Sequence, residues 1–169
     1  SLVSVARKMF QENDSRRYSC VDLTDPLWSR SRECQYDACV LLDVYEHIPA
    51  ASRPDFHKAL SSVLKENAVL IVTCPTTVHQ AFLRSHHPDG LQPVDEDVSL
   101  ADVQKLAADI SAEITHFEYK RIWATNDYFY AVLNRSVTRH DAALLTQPTE
   151  LISKRSRMKH VEMAAEILG

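Results

Sequence analysis

Glycine is almost missing from this 169-residue chain, which has only Gly90 and Gly169 where ordinary usage is about 7%. A fold that cradles a phosphate or nucleotide does so on glycine-rich backbone at the start of a helix, so this sequence holds no such loop. Four cysteines, Cys20, Cys34, Cys39 and Cys74, form no CxxC pair and show no zinc-like spacing. An excess of positive charge is lacking too: 19 Lys and Arg against 23 Asp and Glu leave a net charge of -4. Nucleic acid needs clustered cations, so none is expected as a partner. No apolar run approaches the roughly 20 residues that span a bilayer, and no secretory signal opens the chain. No membrane contact is therefore expected, and a cytoplasmic protein is the default.

What is present is ordinary for a globular domain: 45% hydrophobic and 25% charged residues, with enough length to bury one core. The chain opens with Ser1-Leu2-Val3, without Met and already inside a helical pattern. Together with the glycine shortage, this leads us to expect a start partway through a domain. Three of the cysteines, Cys20, Cys39 and Cys74, sit in apolar runs, where a thiol is expected to act as a small buried hydrophobe.

Leu2, Val5, Ala6, Met9 and Phe10 recur at helical spacing and predict an opening amphipathic helix. Tyr18-Ser19-Cys20-Val21 predicts a short strand, closed by the polar turn from Asp22 to Pro26. Ala38-Cys39-Val40-Leu41-Leu42 is a continuous apolar run, the pattern of a strand buried on both faces. A helix is predicted from Arg53 to Leu64, with Pro54 in its first turn. Ala68-Val69-Leu70-Ile71-Val72 predicts the next strand, which makes a right-handed βαβ unit. Residues 76–98 read as a long polar loop of the kind that is often functional. Ser99 caps a helix through Ile110, and Glu113–Trp123 with Tyr128–Asn134 predict an antiparallel hairpin.

The division expected is an α/β domain over residues 1–136 and a helical tail over 137–169. In the tail, Leu151, Met158, Val161, Ala165 and Leu168 form one stripe. That stripe can seal a homodimer or extend a coiled coil, or equally dock on its own domain. The neighbouring Lys154, Arg155, Arg157 and Lys159 are flanked by Glu150, Glu162 and Glu166 and read as a solvated face.

Ligands of open α/β sheets bind beyond the carboxyl ends of the strands, and Asp22 and Asp43 stand at two such ends. Either carboxylate could accept a ligand's amine or hydroxyl; the plainer alternative is a turn or helix cap. The run Tyr36-Asp37-Ala38-Cys39-Val40-Leu41-Leu42-Asp43-Val44-Tyr45-Glu46-His47-Ile48-Pro49 resembles the fourth-strand motif of class I S-adenosylmethionine-dependent methyltransferases. Val63-Leu64-Lys65-Glu66-Asn67 and Thr73-Cys74-Pro75 look like that family's next helix end and fifth strand, and the hairpin like its sixth and seventh.

The resemblance implies a Rossmann-like sheet in the order 3-2-1-4-5-7-6, with its first two strands and glycine-rich loop absent from this chain. It also implies S-adenosylmethionine as cofactor, with Asp22 on the adenine amine and the Leu23 N–H on a ring nitrogen. Leu42, Asp43 and Val44 would lie beneath the reacting methyl group. The reaction implied is O-methylation, or less often N-methylation, of a small molecule or glycan unit. The alternative is a non-catalytic methyltransferase-like module used for assembly.

His47 is the candidate general base, because it follows the strand end by a few residues; a backbone-bonding or capping role is the alternative. His79, His86 and His87 come second. Asp43-x-x-Glu46-His47 also resembles the metal-binding run of ubiquinone-pathway and small-RNA ribose methyltransferases, which carry Glu where Asp43 stands. It therefore raises Asp43, Glu46 and His47 as ligands of a divalent cation such as Mg²⁺. Gln92–Asp97 could belong to an acceptor lid or form a solvated acidic turn. Trp123, Tyr128 and Tyr130 are expected to pack the hairpin, with one of them able to line an acceptor pocket.

Without the first two strands, a slot roughly 14 Å wide would separate Tyr18–Val21 from Ala38–Leu42. The 169-residue chain alone is therefore expected not to hold the cofactor. Calorimetric titration with S-adenosylmethionine should show no micromolar binding, and micromolar affinity would refute the expectation.

Overall fold

The computed structural model describes residues 2–11, 13, 15–124 and 126–135. The tail expected over 137–169, with its helix and its dimer-forming stripe, lies outside the described residues. Among the described residues five helices and four strands follow in the order α1 (Leu2–Met9), α2 (Pro26–Arg30), β1 (Tyr36–Leu42), α3 (Arg53–Val63), β2 (Leu64–Pro75), α4 (Thr77–His86), α5 (Leu100–Asp109), β3 (Glu113–Lys120) and β4 (Tyr128–Asn134). Short 3₁₀ turns at Tyr45–His47, Ala50–Ser52 and Pro88–Gly90 complete the set.

The sheet runs β1-β2-β4-β3, the last four places of the expected order. β1 pairs parallel to β2 with Val40 beside Ile71 and Leu42 beside Thr73. β4 runs antiparallel to β2, with Thr73 beside Tyr130, and β3 closes the hairpin on β4. The fold is thus a Rossmann-like α/β sheet ending in an antiparallel hairpin. The helix α3 between parallel β1 and β2 is the predicted crossover.

Alternation divides the sheet into two unlike faces. Leu41, Leu70, Val72, Cys74, Phe129, Ala131 and Leu133 point into the core. There they meet Phe56 and Leu60 of α3 and Val103, Leu106 and Ala107 of α5. The helices form where the sequence supplies caps. Pro54 occupies the first turn of α3, and Ser99 closes a capping box with Asp102 at the start of α5, so that two otherwise unpaired backbone donors are satisfied.

The opposite face is barely covered. Val40 and Leu42 are 51% and 57% exposed, so β1 is not the doubly buried strand its composition predicts. Its outer edge also pairs with nothing among the described residues. For the same reason Tyr18–Val21 forms no strand. Among the described residues that segment shares no ladder with a strand, and a strand exists only through its pairing. Cys20, expected inside, is exposed with it, while Cys39 is half-buried and Cys74 buried. The α1 helix forms, yet Val5, Met9 and Phe10 of its apolar face stay exposed.

Residues 76–98 depart from the expected loop by containing α4. Thr76 is its N-cap and accepts from the His79 N–H, a signal the histidines and Pro88 obscured. Gln80 of α4 is buried and donates to Asp95 Oδ1 at 3.1 Å.

A buried polar chain ties the turn after β1 to the two core helices. The His57 ring lies 2.7 Å through Nδ1 from Asp109 Oδ2 and 2.8 Å through Nε2 from the Tyr45 hydroxyl. A carboxylate only accepts, so in the neutral ring Nδ1 donates to Asp109 and Nε2 accepts from Tyr45. Arg53 stacks its guanidinium 4.8 Å above the Tyr45 ring and bridges to Asp102 at 3.1 Å. Burial pushes the Tyr45 hydroxyl up to about 12, so it stays protonated as a donor. His57→Ala strands that hydroxyl and opens a core gap. It should cost about 2–4 kcal/mol in urea unfolding, whereas exposed Lys58→Ala should change stability by less than about 0.5 kcal/mol.

Candidate functional site

The carboxyl ends of β1 and β2 open onto a trough of about 400 Å³ on the uncovered face. Leu42, Thr73 and Tyr130 are cross-strand neighbours that form its floor, and Asp43, Lys120, Ile122, Trp123, Tyr128 and Phe129 complete the lining. Its size falls within the range of small-molecule sites.

Asp43 leaves β1 with φ 52°, the left-handed region that Asp tolerates better than most residues. Its N–H still bonds the Thr73 carbonyl at 3.1 Å, so the backbone turns away only after its last ladder bond. Burial pushes the Asp43 carboxyl up, and the charge of His47 partly offsets this. Strained backbone at a strand end beside a cavity is a recurrent mark of a working site.

Glu46 sits 1% exposed in the turn behind Asp43. Burial pushes its carboxyl up, and the Cys74 thiol bonds to it. Its Oε2 is buried with no partner among the described residues. Burial first, then the charges of Asp43 and Glu46, push the Tyr128 hydroxyl up to about 12. The strand ends are thus a zone of negative potential, suited to a positively charged or hydrogen-donating ligand group.

His47 is half-buried, with Nδ1 2.8 Å from the Val94 carbonyl. A carbonyl only accepts, so Nδ1 carries a proton, and in the neutral ring Nε2, 3.9 Å from Glu46 Oε1, keeps the lone pair. The backbone-bonding alternative is thus what the ring displays, and the ring does not line the trough itself. Val44 is exposed, and its carbonyl accepts the His47 N–H.

Asp22 is placed differently. Its Oδ1 accepts both the N–H and the hydroxyl of Thr24 at 2.9 and 2.7 Å, a turn within its own loop. These bonds hold its exposed carboxyl below the usual range. Leu23 packs its side chain partly against the core. The adjoining Thr24 lines another cavity, between α2 and α3, so Asp22 and Asp43 are not brought together in either cavity.

Asp43, Glu46 and His47 are not assembled as metal ligands. Glu46 turns inward to Cys74 and His47 is tied to Val94. Among the described residues no three His, Cys, Asp or Glu side chains converge on a point that could hold an ion. Of the second-choice histidines, His79 rests its ring 6.0 Å from that of Tyr128, His86 stacks on Phe82 at 4.6 Å, and His87 leans on Phe82 at 5.7 Å. Asp95 and Asp97, in the acidic run, hold Gln80 and Arg84 of α4.

Asp127 was not singled out by the sequence. Its buried carboxylate accepts the N–H groups of Ile122, Trp123 and Ala124 at 2.8, 2.6 and 2.8 Å. Its own carbonyl accepts the Thr76 N–H at 2.8 Å. The β3–β4 connection is thereby clamped to the start of α4, and Trp123 is presented at the rim although 76% exposed. The available sequence signal is an acid three to five residues after a run of unpaired backbone donors, legible only once the hairpin is known.

Burial alone would raise Asp127, but the three donors outweigh it and hold it at about 2. Since the folded value lies below the unfolded one, the clamp stabilises fully above about pH 4 and fades as pH falls toward 2. Asp127→Asn should cost about 2 kcal/mol at neutral pH, measured by urea unfolding. The difference from the parent should shrink between about pH 4 and 2, and a pH-independent difference would contradict the assignment.

No protein-family model matches the sequence, and no curated protein matches it either. Solved structures do. An S-adenosylmethionine-dependent methyltransferase from Methanosarcina mazei superposes with TM-score 0.59 at 13% identity, over 78% of this chain and 76% of that one. Magnesium protoporphyrin IX methyltransferase from Synechocystis PCC 6803, with bound SAH, gives 0.51 at 20% identity over 78% and 55%. The 1,6-didemethyltoxoflavin-N1-methyltransferase of Burkholderia thailandensis gives 0.55 at 9% identity over 79% and 55%. The chain spans just over half the length of the last two. At these identities the likeness concerns architecture: the chain has the fold of the S-adenosylmethionine-dependent methyltransferases.

Proposed function

We propose that this chain forms the methyl-transferring half of an S-adenosylmethionine-dependent methyltransferase acting on an oxygen of a small molecule or glycan unit. The observation that supports this best is Asp43, held in left-handed backbone at the mouth of a small-molecule trough on a methyltransferase-type sheet. A small-molecule acceptor is supported by the neighbours named for magnesium protoporphyrin IX and 1,6-didemethyltoxoflavin.

The residues present fit the cofactor's charged portion. Asp43 in the trough lining suits a cationic sulfonium or ammonium, with the buried Glu46 carboxyl behind it adding negative charge, and Leu42 and Val44 offer exposed apolar surface near it. When bound, S-adenosylmethionine supplies a methyl group already activated on sulfur. The chain's own task is then alignment, which can contribute roughly 7–11 kcal/mol. In this proposal Asp43 accepts a hydrogen bond from the acceptor's hydroxyl, and the proton released on methyl transfer passes by way of Asp43 toward His47 Nε2, which lies outside the trough. Val94 fixes the tautomer that makes His47 Nε2 basic. The nucleoside half does not fit as well, because Asp22 is folded into its own turn. A strand added to the open edge of β1 would supply that half.

The second proposal, a non-catalytic module, has one feature in its favour. With only Gly90 and Gly169, this sequence contains no glycine-rich loop. The two are separated by methyl transfer from radiolabelled S-adenosylmethionine, using the native protein isolated from its source. Asp43→Ala should reduce turnover by about 10²-fold or more, and His47→Gln by about 10²–10⁴-fold. Full turnover in the Asp43→Ala protein would remove the catalytic proposal. Mg²⁺ or EDTA is expected to leave turnover unchanged.

A further inference from the structure

Accepting the trough as the acceptor site, we infer that its occupant is a flat, uncharged aromatic ring bearing one hydroxyl or amine, rather than a sugar or an anionic acid. The lining is apolar and aromatic on three sides. Leu42 forms the floor, Tyr128 and Tyr130 stand along β4, and Ile122 and Trp123 form the outer wall.

The wall is built rather than incidental. An exposed indole on a slack loop would fold down onto the protein. Here the three N–H bonds to Asp127 hold Ile122 and Trp123 out, 55% and 76% exposed. Trp123 at the rim and Tyr128 and Tyr130 along β4 offer ring surfaces to a planar body, which such rings bind by offset or edge-to-face contact.

Charge narrows the class further. At the inner end, Asp43 and buried Glu46 oppose any anion. Lys120 at the outer end is already matched by Glu118, 2.7 Å away, so it offers no unspent positive charge to a carboxylate. A sugar would need partners for several hydroxyls. The polar side-chain groups of the trough belong to Asp43, Thr73, Lys120, Trp123, Tyr128 and Tyr130, but apolar surface dominates the lining, so a buried sugar would leave hydroxyls unpaired. One donor on a ring, directed at Asp43, satisfies the site.

The chain's two tryptophans, Trp28 on α2 and Trp123 at the trough, provide the test. In the ¹⁵N-labelled 169-residue chain, 2-naphthol should shift the Trp123 indole resonance saturably and leave that of Trp28 in place; Trp28→Phe assigns the two signals. The anionic 2-naphthoate should bind at least about fivefold more weakly, since its charge faces Asp43 and Glu46. N-acetylglucosamine should shift neither signal. Tyr130→Ala should weaken 2-naphthol roughly 2- to 10-fold, the loss of one ring contact. Ile122→Ser, on the exposed connection, should act in the same direction should the first variant fail to fold.

An unmoved Trp123 at the solubility limit of 2-naphthol, or equal binding of 2-naphthoate or the sugar, overturns the inference. Methyl transfer to an aliphatic or glycan acceptor with a silent Trp123 overturns it while leaving the methyltransferase proposal intact. Saturable 2-naphthol binding in a protein that transfers no methyl group does the reverse.

Discussion

Parallel strands joined by a crossover helix need cover on both faces, and in the described residues only one face of β1 and β2 receives it. Helices α3 and α5 bury Leu41, Leu70 and Val72 on that side. On the other, Val40 and Leu42 remain half exposed and the outer edge of β1 is unpaired. This unequal covering explains most of the molecule. It leaves a trough where the strands end, and among the described residues it offers Tyr18–Val21 no strand to form a ladder with. It also places the left-handed backbone turn at Asp43 between a packed core and an open surface.

The two sides of the trough are held by different physics. The inner side is electrostatic: Glu46 and Asp43 crowd the end of β1, and their combined charge reaches the Tyr128 hydroxyl. Behind it, the Tyr45–His57–Asp109 chain and the Arg53–Asp102 bridge fix the turn to α3 and α5. The outer side is a hydrogen-bond clamp, in which Asp127 gathers three backbone donors and Thr76 docks the connection onto α4. A crowded acidic end opposite a fixed aromatic wall suits a reaction that depends on orientation more than on bond polarisation.

The same arrangement separates His47 from the metal role that its spacing to Asp43 and Glu46 suggests. Those three lie within one short segment, yet the 3₁₀ turn sends Glu46 inward to Cys74 and His47 sideways to Val94. Proximity in sequence does not make a ligand set when the turn distributes successive side chains in different directions.

Local chemistry alone settled much of the fold. Pro54, Ser99 with Asp102, the apolar runs around Leu41 and Leu70, and the alternation through Phe129, Ala131 and Leu133 each dictate their element, because caps and periodicity act over a few residues. Asp43 was legible as a strand-end carboxylate for the same reason. Tertiary structure decided the rest, since it depends on partners distant in the chain. A strand requires a neighbour, so Tyr18–Val21 has no ladder. Burial requires a covering layer, so Val40 stays in solvent. Asp127 becomes a clamp only when a hairpin turns three N–H groups toward it, and Trp123 becomes a wall only because that clamp holds.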